Sequence, residues 1–367
     1  MHWLTHLSLH YDLVYCLYLG KPPTEPSFLN KKIQFISIPL IRPNILLATW
    51  RKTFGGIVQP HLYGMYWYDR ISKEGLLAMA EVIDRTEDIL FFRLYLFPVL
   101  FALKKMLMHK SVRLDLDDVD SLTMKQIARA QWYQGDYTRW LETRIGLYYV
   151  QYYEQRVREM ADQFYYANPG DKEYLTTQYP DAITECFPNK VLYQGIPIHS
   201  TREKASLLFT GTLNYYPNID AIRFFIREIW PEILRQEPDA ELIVAGSHPG
   251  RDIKSLIRST TGCTLVANPI SMKDIFHKAS LMVVPLRIGG GTRIKILQAF
   301  SYGLPVVSTS IGSSGITGAD RQIMIIADEK ISLIEGCLKI IRNPLRGAEI
   351  ADNAYTIFVQ LHSFNPN

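Results

Sequence analysis

The stretch Pro285–Val307, PLRIGGGTRIKILQAFSYGLPVV, decides how the chain is read. Gly289, Gly290 and Gly291 separate the apolar run SLMVVPL (Ser280–Leu286) from a helical pattern over about Arg293–Tyr302. A short continuous apolar run reads as a strand buried on both faces. The helix behind the glycines presents free N–H groups and the positive end of its dipole. A diphosphate fits such a terminus. Glycine lets the backbone come close to it, and Arg293 and Lys295 can add charge-assisted contacts beside Thr292. The spacing is neither G-x-G-x-x-G nor a Walker loop. A tight strand-to-helix turn without a ligand would use the same glycines, so both readings stand on the glycines alone.

Working outward, the same alternation repeats. Apolar runs at Ala205–Leu213, Ala240–Ser247, Thr264–Asn268, Pro305–Ser310 and Gln322–Asp328 read as strands. Helical patterns from about Asn218, near Ser271–Lys278 and near Ile331–Ile341 lie between or after them. Buried strands alternating with amphipathic helices imply a parallel sheet covered on both faces, a Rossmann-like domain. The N-terminal half is more mixed. Tyr11–Leu19, Lys32–Leu40, Asp88–Tyr95, Ser111–Asp118 and Gln163–Asn168 read as strands, and 124–162 as one or two helices. The expected organisation is α/β, with two Rossmann-like domains facing across a cleft. Residues 1–195 form the first, 196–204 (IPIHSTREK) the linker, 205–345 the second, and 346–367 a helical tail.

Composition narrows the function classes. The 367 residues are 47% hydrophobic and 21% charged, which is ordinary for a globular protein. A net charge of +4 is too mild to argue for nucleic acid, but it suits an anionic small substrate or membrane surface. Cys16, Cys186, Cys263 and Cys337 are scattered, which reads as free thiols in a reducing cytosol rather than a metal site. The N-terminus lacks the basic start of a signal peptide. The longest apolar stretch, Ile89–Leu103, is broken by Arg93 and Pro98 and is too short to span a bilayer. It reads as a buried strand feeding a helix.

The stretch PLRIGGGTRIKILQAFSYGLPVVSTSIGSSGI resembles the donor-binding segment of family 4 retaining glycosyltransferases with the GT-B fold. A large bacterial branch of that family reads close to PLR-x-GGGTR-x-KILEA-x-x-x-G-x-PVVST-x-x-G-x-x-G. LLFTGTLNYYPNIDAIRFFIREIWP (Leu207–Pro231), RLDLDDVDS (Arg113–Ser121) and FFRLYL (Phe91–Leu96) match further motifs of the branch in order. The resemblance implies transfer of a sugar, with retention, from a nucleotide-diphosphate sugar held by the second domain. The acceptor would be a glycan or a lipid-linked glycan in bacterial polysaccharide or glycoconjugate assembly. No cofactor and no metal are expected; helix N-termini and basic side chains would stabilise the leaving diphosphate. The diphosphate would meet Gly211, Gly289, Gly290, Gly291, Thr292, Arg293 and Lys295. Asn268, Pro269 and Ile270 fall where the family packs the nucleobase. The family marks its donor helix with two glutamates eight residues apart. Gly290 holds the first place, as is usual in the branch, and Gln298 holds the second, the ribose-binding one. A glutamine keeps a hydrogen bond there but loses the charge-assisted pair, on the order of 1 kcal/mol.

Two further departures accompany the glutamine. The family opens with a strand and a Gly-rich loop, whereas this chain starts within the helix that follows, about 20 residues in by typical element lengths. A misassigned start, a trimmed chain or a degenerate member would each produce this. The family's PNGV turn reads PNKV here (Pro188–Val191). A binding or scaffold protein with impaired catalysis is therefore the alternative reading.

Other residues remain open. Alternation in LDLDD places Asp115 and Asp117 on one face and Asp118 on the other. Asp117 and Asp118 are acceptor-side candidates, while Asp118 or Asp120 would equally cap the next helix. Arg93 interrupts an apolar strand, and it either contacts an anion or pairs with one of these aspartates. Asn218 reads as a helix cap, with a contact to the donor as the alternative. No general base is named. Phe97–Lys110 (FPVLFALKKMLMHK) is a core helix with a basic end or, alternatively, a peripheral contact with an anionic membrane. The expected location is cytoplasmic, with the inner face of the membrane as a further expectation.

Overall fold

In the computed structural model, residues 7, 10–19, 33–38, 71–192, 205–316, 318 and 322–364 are described. The chain divides into two units at Phe187/Pro188. That point precedes the expected linker, 196–204, which lies outside the described residues.

In the first unit, β1 (Val14–Leu19) pairs in parallel with β2 (Ile33–Ile38). The strands β3 (Asp88–Phe92), β4 (Ser111–Asp117), β5 (Gln163–Tyr166) and β6 (Ile183–Cys186) form a four-stranded parallel sheet in chain order. Its helices are α1 (Lys73–Asp84), α2 (Phe97–Ala102), α3 (Lys104–Leu107), α4 (Asp120–Tyr133), α5 (Tyr137–Val157) and α6 (Lys172–Gln178). Ser72 caps α1, its hydroxyl accepting the Gly75 N–H at 2.9 Å. The α4–α5 hairpin turns at Gly135, where φ is 73°, and Asp136 accepts the Arg139 N–H to start α5.

The stretch Phe97–Lys110 is a core element. Phe97, Val99, Leu100, Leu103 and Leu107 are all buried. The Lys110 ammonium donates to the carbonyls of Asp84 and Thr86 at 3.0 and 2.7 Å. Most of the apolar side chains that suggested a membrane contact face the interior, with Met108 left exposed. No helix among the described residues is long and apolar enough to cross a membrane.

The second unit starts with β7 (Val191–Leu192), which pairs with β14 (Ser363–Phe364). Its main sheet comprises β8 (Ser206–Thr212), β9 (Glu241–Ser247), β10 (Cys263–Ala267), β11 (Leu281–Val284), β12 (Val306–Ser308) and β13 (Ile325–Ile326). All pairings are parallel, in the order β10-β9-β8-β11-β12-β13. The helices are α7 (Tyr216–Phe224), α8 (Trp230–Gln236), α9 (Arg251–Arg258), α10 (Lys273–Lys278), α11 (Ile294–Ser301), α12 (Lys330–Arg342) and α13 (Pro344–Ile357). The expected tail is α13 and the turn behind it, and Ile350, Ala354 and Phe358 bury it.

Strand residues such as Leu207, Leu208, Leu242, Val244, Met282 and Val283 are almost fully buried, as a sheet covered on both faces requires. Each such side chain contributes roughly 1.5–3 kcal/mol of transfer free energy. Between α7 and α8 the chain widens into a π turn, Phe225–Ile229. Pro231 in the first turn of α8 has no N–H to return to that segment, which accounts for the widening. Trp230 is buried beside it, its indole N–H donating to the Thr261 carbonyl at 2.8 Å.

Gly211 and Gly246 stand opposite each other in the β8–β9 register. A Cβ on Gly246 would run into the Gly211 carbonyl. Gly246→Ala is therefore expected to destabilise the protein by on the order of 3 kcal/mol, the upper end of overpacking costs. Urea unfolding of the full chain measures it; an unshifted midpoint would contradict the packing.

Candidate functional site

Because every strand of the second sheet is parallel, all strand C-termini lie along one edge. The strand order reverses between β8 and β11. At such a reversal the connections leave to opposite sides and open a crevice, where ligands of these sheets bind. Gly211 ends β8 on one side of it. The glycine loop, Gly289–Gly291, follows β11 on the other.

The loop is held by residues on three sides. Arg287 makes a two-pronged ion pair with Asp220 of α7, Nε and Nη2 donating at 2.9 and 2.6 Å. The guanidinium also stacks 4.5 Å over the Phe224 ring. Asp220 is buried while Arg287 is exposed, so the arginine fastens the loop and keeps an edge in solvent. Behind the loop, the Thr309 hydroxyl donates to the Leu286 carbonyl and accepts the Gly312 N–H. A side chain at Gly312 would overlap the Val284 carbonyl. Gly315, at φ 77°, lies so close that a Cβ would come within 2.8 Å of Thr292 Oγ1. The glycines of STSIGSSG thus let a second loop nest against the first.

Within the loop, Gly289 has φ 133° and Gly291 φ 67°, a backbone that disfavours side chains. Arg293 is the residue just before α11. Its guanidinium folds back and donates to the Gly290 carbonyl. A Cβ on Gly289 would come within 2.7 Å of it. Arg293 therefore braces the loop from within, a role that the spacing of charges did not suggest.

Lys295 points to the reversal itself. Its ammonium donates to Asn218 Oδ1 at 2.9 Å, sits 4.8 Å over the Phe209 ring, and lies against Gly211. The Asn218 amide N–H donates to the Thr212 carbonyl at 3.0 Å. Asn218 is thus a bridge rather than a helix cap; the cap position falls to Tyr215. Burial first, and the Arg293 charge second, push Lys295 down to about 7.

Gln298 lies one turn further along α11, partly buried. Asn268, Pro269 and Ile270 follow β10 on the same edge of the sheet. Asn268 has φ 50°, and its Oδ1 accepts the His248 N–H at 2.9 Å, tying the ends of β9 and β10. Ile270 is fully exposed there. The residues expected from sequence in this unit thus gather on one edge. Arg287, Asp220 and Thr309 were missed. Their partners are distant in sequence, although Arg287 stood inside the decisive stretch.

In the first unit, Arg93 follows β3 in a turn with φ 78°, outside the strand expected to hold it. Its N–H donates to the Asp115 carbonyl at 2.7 Å, and its guanidinium pairs with the Asp117 carboxylate. Of its two readings, the ion pair is the one seen. Asp117 has φ 57°, and β4 bulges between Asp115 and Asp117, so simple alternation fails there. Asp115 Oδ1 accepts the Asp117 N–H at 2.8 Å. The cap position of α4 falls to Val119, and Glu154 of α5 accepts the first-turn N–H of Ser121. Burial, and then the neighbouring Asp118, push Asp120 up to about 7. Among the described residues no group of three His, Cys, Asp or Glu side chains is placed to hold a metal ion.

Comparison with known proteins bears first on the second unit. Residues 204–343 match the family model Glycosyl transferases group 1. The match falls within the second unit. An uncharacterized 44.6 kDa protein in the cps region of Klebsiella pneumoniae is 26% identical over 197 residues, 52% of this chain and 49% of that one. The chain spans about half the length of this curated relative. Among solved structures, sucrose-phosphate synthase from Thermosynechococcus elongatus has a TM-score of 0.61 at 14% identity, covering 79% of this chain and 74% of that one. HepE of Anabaena, in complex with UDP and glucose, has a TM-score of 0.56 at 11% identity, covering 90% and 82%. Apo OtsA has a TM-score of 0.61 at 11% identity, covering 98% and 92%. These likenesses show the GT-B fold.

The depressed Lys295 gives a pH signature. Between about pH 7 and 10 the unfolded chain holds a proton on this lysine that the folded chain has released. Stability therefore rises with pH across that window. Lys295→Met is expected to flatten the rise. Denaturant midpoints of both proteins between pH 7 and 10 measure it; parallel slopes would contradict the burial of the ammonium.

Proposed function

We propose that the protein is a glycosyltransferase that moves a sugar, with retention, from a nucleotide-diphosphate sugar to a glycan or lipid-linked acceptor. The observation that carries this is the meeting of Gly211, the glycine loop and Lys295 at the reversal of strand order. The diphosphate would lie on the N–H groups of the loop and the start of α11, with Lys295 beneath it. A lysine held by a neutral amide has no carboxylate to cancel its charge when a bound anion draws the proton back. Arg293 would contribute through the loop it braces, and its charge would add to the field at the diphosphate. Gln298 would take the ribose hydroxyls, and Asn268–Ile270 would flank the base. The chemistry asks for no resident cofactor. Arg93, Asp117 and Asp118 are proposed on the acceptor side, where the Arg93–Asp117 pair would fix a polar surface. The relative from a cps region supports a place in polysaccharide assembly.

Calorimetry with UDP and GDP tests the donor site. At pH 8 a bound diphosphate should restore the charge of Lys295, so binding takes up nearly one proton, read from two buffers of different ionisation enthalpy. Lys295→Met should abolish that uptake. Gln298→Glu should tighten binding by about fivefold, the worth of ~1 kcal/mol for a charged rather than neutral hydrogen bond. No binding of either nucleotide at millimolar concentration would overturn the donor site. Unchanged affinity in the glutamate variant would remove Gln298 from the ribose contact.

A further inference from the structure

Helix α5 is apolar on two opposite sides. Leu147, Tyr153 and Val157 are buried in the first unit. On the other side, Tyr137, Leu141, Ile145 and Tyr148 are 58, 54, 43 and 57% exposed. Their spacing puts them in one stripe, about 17 Å long at 1.5 Å per residue. The tip of α4 extends the stripe with Trp132 and Tyr133, both exposed. Trp132 meets Tyr137 and Trp140 at ring distances of 5.1 and 5.0 Å. Such a contiguous exposed apolar face is unusual for a surface helix and marks an interaction site.

The composition of the stripe selects its partner. Aliphatic side chains form the middle and aromatic ones the ends. Tyr and Trp favour the headgroup level of a bilayer, where one end of the ring is apolar and the other wet. The borders carry a small excess of arginine, with Arg129, Arg139, Arg144 and Arg156 against Asp136, Glu142 and Glu159. Arg144 lies beside Ile145 and Tyr148 around a shallow depression of about 350 Å³. Arg129 lies 5.8 Å over the Tyr133 ring, and Arg156 lies 5.8 Å over Tyr152 while pairing with Glu159 at 3.1 Å. A two-fold pair of chains centred on this stripe would bring Arg144, near its middle, close to its own copy. A surface of anionic headgroups complements the arginines instead.

We propose that the α4–α5 hairpin lays this stripe on an anionic lipid bilayer, Leu141 and Ile145 entering the acyl boundary and the arginines meeting headgroups. The inference stands on the first unit alone and does not rest on the transfer reaction. Flotation of the full chain with vesicles tests it. Vesicles of equal phosphatidylglycerol and phosphatidylcholine should bind the chain at least tenfold more tightly than phosphatidylcholine alone. The triple variant Leu141→Ser, Ile145→Ser, Tyr148→Ser should lose at least tenfold in partitioning with its thermal unfolding unchanged. Arg144→Glu should lose at least fivefold. Brominated lipids should quench the tryptophan fluorescence of the unaltered chain, and Trp132→Phe with Trp140→Phe should reduce that quenching, a readout independent of the triple variant. No binding to the anionic vesicles would overturn the proposal, as would equal binding by the triple variant. So would a dimer that the triple variant dissolves without any vesicle binding.

Discussion

The amide of Asn218 is the tie on which the second unit's ligand edge depends. Its N–H satisfies the Thr212 carbonyl where the β8 ladder ends, and its oxygen holds the Lys295 ammonium from the first turn of α11. One side chain therefore joins the two elements that diverge at the reversal of strand order. A carboxylate in its place would neutralise the lysine. The amide is neutral, so the ammonium is positioned and left electrostatically unspent, at the cost of a depressed pKa. Positioning a charge without cancelling it is what an anion-binding site requires.

Around that tie, the motif residues act mainly on the backbone. Gly246 makes room for the Gly211 carbonyl, Gly289 for the Arg293 guanidinium, and Gly315 for Thr292. Asp220 and Thr309 anchor the loop at Arg287 and Leu286 from two different elements. The loop is preorganised by partners outside it, so its N–H groups need not be arranged when an anion arrives. Arg293, which reads in sequence as a ligand contact, is drawn into this bracing because its own loop offers the nearest carbonyl.

The first unit shows a different economy. Its polar residues gather where β3 and β4 end, with Arg93 and Asp117 in left-handed backbone, and burial, with Asp118 beside it, pushes Asp120 up to about 7. The apolar face of Phe97–Lys110 goes to the core, whereas that of the α4–α5 hairpin points outward. Composition alone ranks these two segments in the opposite order. For its length Phe97–Lys110 is richer in aliphatic residues and in lysine, yet burial depends on which neighbours its helix meets.

Most strands of the second unit, the glycine loop and the helix behind it were legible in the chain. Apolar continuity and glycine chemistry are local, and a run such as LMVV carries its burial in its own composition. Helix α9 and the edge strand β6 are short, and their apolar residues are sparse and mixed with polar ones, so neither stands out in the chain. The pairings Arg287–Asp220, Lys295–Asn218 and Arg93–Asp117 span 67, 77 and 24 residues of chain, the last from the two residue numbers. No periodicity encodes such partners. They depend on which strand ends become neighbours in a parallel sheet, and that order arises only when the layers pack.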